Sequence, residues 1–229
     1  MKKSRITFAV LFVGAIIFGN KKQLPESPMQ FATNTQMLPL TFPAKENAGV
    51  PVNILPSNSQ WCTKESTWGA DAHPGRPIIY FYDSMDPYYE FTNFYRPENG
   101  VTIDGKVWPT TEHYYQAMKF TDTALQEAVR ILSTPREAFN FTRDPKNRTH
   151  VRGDWDNVKL DVMRKAVLAK FSEDPVLKNL LLSTGDAILV EDAGANDSFY
   201  GDGADCNGKN WLGKILMETR EKLGGTGYK

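Results

Sequence analysis

The segment from Val101 to Phe120 most constrains the fold. Val101-Thr102-Ile103 and Lys106-Val107-Trp108 are short β-prone runs separated only by Asp104-Gly105. A tight hairpin turn needs two central residues that tolerate positive φ, and Asp-Gly meets that need. Directly after the second run, Pro109-Thr110 supplies a helix start: Thr110 can cap, and apolar positions follow with helical period to Phe120. A hairpin feeding straight into a helix predicts an α+β domain. The helix itself carries Glu112, His113, Tyr114, Tyr115, Gln116 and Lys119. Glu112 and Lys119 are seven residues apart, two turns, and so lie near one face. An ordinary core helix buries aliphatic side chains there. A carboxylate and an amine beside aromatic rings are the material of a polar pocket.

Upstream, Ile78-Ile79-Tyr80-Phe81-Tyr82 reads as an apolar strand, with the compact domain beginning near Pro77. Ala187 to Glu191 reads as another short strand. Helices are predicted over 110–120, 123–132, 135–142, 156–171, 175–183 and 209–223. The helix at 156–171 is the clearest, with Val158, Val162, Ala166, Val167 and Phe171 on one stripe. The expected fold is therefore a single, predominantly helical α+β domain over 77–229 with a few short strands. An irregular extension precedes it over 21–76, rich in Pro, Asn, Ser and Thr. Trp61 and Trp68 can dock its last part on the domain.

Residues 1–20 place Lys2, Lys3 and Arg5 before an apolar run from Ile6 to Phe18. The run has the length of a signal-peptide core and is short for a membrane span. A functional leader implies a secreted or anchored protein; otherwise the chain is cytoplasmic. The sequons at Asn140, Asn147 and Asn196 matter only in the first case.

Net charge is zero, 27 basic against 27 acidic residues, so no global field steers the chain to nucleic acid or an anionic membrane. Cys62 and Cys206 exclude a disulfide framework and fit one bridge or two free thiols equally well. His73, His113 and His150 are scattered without ligand spacing, so no metal site is expected.

Five places can carry chemistry. Asn93, in Phe91-Thr92-Asn93-Phe94, offers donors and an acceptor for a base or sugar edge, although an Asx turn explains it as well. Glu112 sits in a helix's first turn, where the dipole should hold it ionised near neutral pH, suited to a base or to a carboxylate facing a developing cation. Lys119 reads as a salt-bridged surface lysine, a phosphate contact, or an amine that traps an aldehyde as an imine. In Arg152-Gly153-Asp154-Trp155, Arg152 can bind phosphate and Trp155 can stack on a base, or the indole can be core.

The fifth place runs from Phe199 to Asn210 and contains Tyr200, Gly201, Asp202, Gly203, Gly208 and Lys209. It imitates a P-loop but has Asn210 where Ser or Thr should hold magnesium. Its remaining content is a glycine loop running into a helix N-terminus, a place for phosphate, with Asp202 aimed at a ligand.

These blocks, in this order, resemble the NADAR family. The matching pieces are Ile79 to Tyr82, Phe91 to Phe94, Trp108 to Phe120, Arg152 to Trp155, Tyr200 to Gly203 and Gly208 to Gly213, across about 78–223. The resemblance implies an N-glycosidase that breaks a ribose C1–N bond in a phosphate-bearing ligand. The implied substrate is ADP-ribosylated guanosine, as nucleoside or in nucleic acid, or a phosphoribosylamino-pyrimidine of riboflavin synthesis. It also implies catalytic roles for Glu112, Lys119 and Asp202, with Asn93, Arg152, Trp155, Tyr200, Gly201, Lys209 and Asn210 binding substrate. No cofactor or metal is needed for such a reaction. Tyr200 stands where the family often has tryptophan, and Trp211 where it is often polar or basic; both departures bear on the leaving group. The competing reading is a binding module that holds ADP-ribose or NAD without turnover.

Overall fold

The computed structural model describes residues 62–228. The leader at 1–20, the extension as far as residue 60 and Trp61 lie outside the described residues.

Two parallel strands form the centre. Strand β1 (Ile78–Phe81) pairs with β4 (Ile188–Glu191), in register from Ile78 against Ile188 to Phe81 against Glu191. Ile188, Leu189 and Val190 are consecutive and all buried, as expected for a strand covered on both faces. The hairpin forms as its turn residues require. β2 (Val101–Ile103) and β3 (Lys106–Trp108) pair antiparallel, with Asp104 and Gly105 at φ 54° and 74°.

Among the described residues seven helices surround these strands: α1 (Thr111–Ala117), α2 (Thr123–Arg130), α3 (Pro135–Phe141), α4 (Pro145–Arg148), α5 (Trp155–Glu173), α6 (Pro175–Ser183) and α7 (Trp211–Lys222). Side-chain caps mark several starts. The Thr110 hydroxyl accepts from the His113 N–H, and Thr134 with Glu137 forms a full capping box. One hydrophobic cluster gathers β1, β4, α7 and one side of α5 around Phe81, Phe91, Leu189 and Phe171. A second gathers the hairpin, α1 and α2 around Trp108, Phe120 and Val129. Helix α5 joins them, giving Met163, Val167 and Phe171 to the first and Ala166 to the second.

Two differences from the sequence reading matter for the site. Helix α1 ends at Ala117, so Lys119 lies in the turn beyond it. The turn is tightened by the Lys119 N–H donating to the Gln116 carbonyl, and the Lys119 carbonyl accepts from the Arg152 N–H at 2.8 Å. The one-turn helix α4 follows Asp144, whose carboxylate accepts from the Lys146 N–H; it was not expected. Packing starts upstream of Pro77, where Trp68 was expected to dock. Trp68 is buried, its indole N–H donates to the Gly208 carbonyl at 2.8 Å, and Tyr80 donates to the Trp68 carbonyl. Cys62 and Cys206 form a disulfide, which decides between the two alternatives their sequence left open.

Candidate active site

A cavity of about 750 Å³ opens between α1, α3, the start of α5 and the segments around 82–94 and 191–200. Glu112 stands in its wall, 5% exposed. Its N–H donates to the Asn93 carbonyl at 3.1 Å, while the Thr111 hydroxyl donates to Asn93 Oδ1 at 2.9 Å. Asn93 thus fixes the first turn of α1 while lining the cavity. The carboxylate of Glu112 accepts from Gln116 Nε2 at 2.7 Å. Gln116 is itself oriented, because its carbonyl accepts from the buried Thr142 hydroxyl at 2.6 Å.

Burial pushes the Glu112 carboxyl up, against the opposing pull of Gln116, Lys119, Arg143 and Arg136. The carboxyl is taken almost wholly out of water, so burial works against the helix dipole, which favours the ionised form.

Lys119 reaches the same cavity. Its ammonium lies 5.4 Å from the centroid of the Tyr115 ring and 5.8 Å from that of Trp155. Burial lowers its pKa to about 8, although Glu112 pulls the other way. Tyr115, Trp155 and Tyr200 form an aromatic wall, with Tyr115 edge-on to the other two at 5.0 and 5.5 Å.

The structure adds residues that sequence reasoning missed. Glu191, the last residue of β4, faces the cavity; burial, with Asp197, Glu112 and Asp202 nearby, pushes its pKa up to about 8. Two arginines, Arg136 and Arg143, line the side formed by α3 and the turn after it. A signal for Glu191 existed: it is the one acid ending a strand of buried aliphatics. Strand ends are where sheets present functional groups.

Asn93, Glu112, Lys119, Trp155 and Tyr200 therefore share one cavity. Five other expected site residues do not line it. Asp202 is fully buried behind the wall, accepts from the Gly194 N–H at 3.2 Å and faces the sulfurs of Cys62 and Cys206. Burial and Asp192 raise its pKa to about 7, consistent with a carboxyl locked into packing rather than aimed at a ligand. Arg152 is committed to Asp154 through contacts of 2.6 and 2.8 Å. Gly201 is a point of close approach, where a Cβ would meet the Ala193 Cβ at 2.5 Å. Lys209 is exposed, its ammonium over the Phe199 ring. Asn210 is fully buried and spans β4, accepting from the Glu191 N–H and donating to the Leu189 carbonyl. The glycine loop over 201–210 thus packs behind the cavity, and its residues do not line it.

A half-buried cavity that pairs carboxyl groups with a desolvated amine, walled by aromatics, defines an acid–base and nucleophilic site on a small α+β domain. The chain belongs to the NADAR family: the NADAR domain matches residues 80–224. It is similar to N-glycosidase YbiA of Escherichia coli (strain K12), 46% identical over 146 residues, covering 64% of this chain and 88% of that protein. It is also similar to the chloroplastic riboflavin biosynthesis protein PYRR of Zea mays, 40% identical over 163 residues, 65% of this chain and 26% of that one. The NMR structure of E. coli YbiA superposes with a TM-score of 0.58 at 46% identity, covering 64% of this chain and 84% of that one. Cys62 and Trp68 lie outside the matched span.

Proposed function

We propose that this protein is an N-glycosidase that hydrolyses a ribose C1–N bond in a phosphate-bearing ligand. One observation carries the reading: Glu112, Glu191 and Lys119 meet in one aromatic-walled cavity. Burial displaces all three from their ordinary ionisation, and Lys119 and Glu191 both reach about 8. The names of the relatives, N-glycosidase and riboflavin biosynthesis protein, support the same bond and a nucleotide-like substrate.

The chemistry follows from those states. At pH 7 Glu191 is mostly protonated and gives its proton to the departing nitrogen as the C1–N bond breaks. The positive charge that builds on C1 and the ring oxygen faces the Glu112 carboxylate. About a tenth of Lys119 is neutral at pH 7 for a pKa near 8. Its Nζ lone pair takes C1, and Glu112 accepts the proton that Nζ sheds. The nitrogen lone pair then opens the sugar ring to an imine, and the ring oxygen takes that proton. Water adds to the imine carbon and releases Lys119, restoring the proton on Glu191. The sum is one water consumed, one amine released and one free sugar. Tyr115, Trp155 and Tyr200 stack on the ligand and limit water.

The test offers the purified protein ADP-ribosylated guanosine in DNA and, separately, a phosphoribosylamino-pyrimidine. Release of ADP-ribose assigns the first substrate class, and release of ribose 5-phosphate the second. Glu112→Ala should abolish either. Borohydride added during turnover should leave the sugar covalently on Lys119. Turnover without an adduct would replace the imine by direct water attack. Bound ADP-ribose with no leaving group released from either substrate would refute the enzyme and leave a binding module.

A further inference from the structure

The cavity has a cationic end that the bond-breaking step does not use. Arg136, Phe139 and Arg143 are spaced i, i+3 and i+7, which sets them along one side of α3 and the turn after it. Both guanidinium carbons lie against the Phe139 ring, 5.2 and 3.3 Å from its centroid, and Arg136 also lies 4.9 Å from that of Phe94. The ring contacts hold both side chains at the rim of the cavity, where both residues are exposed to solvent. Arg143 donates once, to the Phe139 carbonyl at 3.1 Å. Among the described residues, no carboxylate lies within ion-pair distance of either one. Elsewhere, Arg130, Arg152 and Arg164 pair with carboxylates, and Arg76, Arg96 and Arg220 are tied to backbone carbonyls. Arg136 and Arg143 line the same cavity as Glu112, whose carboxyl they favour in its charged form together with Lys119.

We propose that Arg136 and Arg143, held on Phe139, form the subsite that recognises the phosphate groups of the ligand, with diphosphate as the oxyanion that engages both forks. This rests on the reading of the cavity as an N-glycosidase site, and it moves phosphate recognition from the glycine loop to α3. Two preset, unpaired guanidinium forks are the side chains best matched to phosphate oxygens. The layout gives the ligand a direction: its anionic end at α3, its scissile bond at Glu112 and Lys119.

The test is calorimetric titration of the full protein with sodium diphosphate and with orthophosphate. The variants are Arg136→Gln, Arg143→Gln, the double variant, and Arg148→Gln on α4 as a charge control outside the cavity. The proposal expects diphosphate to bind the wild type and Arg148→Gln alike, at least tenfold more weakly to each single variant, and not measurably to the double. Orthophosphate should bind more weakly than diphosphate throughout. Equal binding by wild type and double variant overturns the proposal, as does no binding by the wild type. Thermal melts of the four variants confirm that folding is unchanged. The titration does not depend on turnover, so it stands even if no leaving group is ever released. In kinetics, the double variant should raise KM for the phosphorylated N-riboside at least tenfold more than for its dephosphorylated counterpart; an equal KM rise for both would also overturn the subsite.

Discussion

Replacing Lys170 should change how stability depends on pH, by an amount the structure sets. Lys170 lies in α5, 2% exposed, and its ammonium donates to the carbonyls of Glu90 and Thr92 at 2.6 and 2.9 Å. No carboxylate pairs with it among the described residues, and burial lowers its pKa to about 7. The unfolded chain should titrate this group near 10.4. Between those values the unfolded state binds more protons, so stability rises with pH; below pH 7 both states are protonated and the dependence vanishes. Linkage then gives a gain of about 2.5 kcal/mol from pH 7.5 to 9.5 attributable to this one group. Lys170→Met keeps the length and cannot titrate. Urea unfolding of both proteins at pH 7.5, 8.5 and 9.5 isolates the effect, because other groups cancel in the difference. The wild-type minus variant free energy should climb by about 2.5 kcal/mol across that range. Parallel curves would refute the reasoning, since they would mean that native Lys170 keeps its proton across that range as the unfolded chain does. The variant should also raise KM, because the freed Glu90 and Thr92 carbonyls flank the segment that delivers Asn93 to the cavity.

Other consequences can be measured directly. The Cys62–Cys206 bridge closes a sequence separation of 144, and chain-entropy reasoning puts its loss at up to about 5 kcal/mol. Unfolding of Cys62→Ala/Cys206→Ala in urea should show a decrease of that order, and a change under about 1 kcal/mol would count against the bridge. With Lys119 and Glu191 both titrating near 8, kcat should follow a bell centred there; Glu191→Gln should lower it and remove the alkaline limb. Thr142→Val takes the donor from Gln116 and so weakens the bond that holds the Glu112 carboxylate down; the acid limb of kcat/KM should move to higher pH. Lys119→Arg retains the charge but cannot form an imine, and should lose the borohydride adduct while the protein still binds ligand.

Sequence carried the local part of the fold well. The hairpin at Asp104-Gly105, the Thr110 cap and the starts of α2, α3 and α6 follow from turn and cap chemistry within a few residues, and the structure places them accordingly. The site divides along the same line. Glu112 and Lys119 stood out in the sequence because one helix start concentrates polar groups where aliphatics belong, and Asn93 stood out in its own loop. Arg136, Arg143 and Glu191 were not, since nothing in an amphipathic pattern says which arginine lacks an acid or which strand-end acid meets a cavity. Those are facts of long-range packing. The extent of α1 failed for a related reason: periodicity continued to Phe120, but the Arg152 N–H draws the Lys119 carbonyl into a tertiary contact.

The glycine loop is a part of the expected site that the structure places away from the cavity. Its glycines, acid, lysine and asparagine look like ligand-binding equipment, yet they act one layer behind the ligand. Asn210 adopts a left-handed backbone at φ 47° and ties both the Glu191 N–H and the Leu189 carbonyl of β4. Gly201 lets the loop approach Ala193 where any side chain would collide. Asp202 caps the Gly194 N–H, and its neighbour Cys206 is tied by the disulfide to the segment carrying Trp68. Each contact holds the segment from Glu191 to Tyr200, and that segment forms one side of the cavity. A substitution in this loop should therefore disturb catalysis through the position and ionisation of Glu191. Asn210→Ala is the sharpest case: it removes two bonds from β4 without touching the cavity. Its kcat should fall and its alkaline limb should shift, while diphosphate affinity at α3 stays as in the wild type. Loss of diphosphate binding in Asn210→Ala, with the protein still folded, would return phosphate recognition to the loop and undo this division of labour.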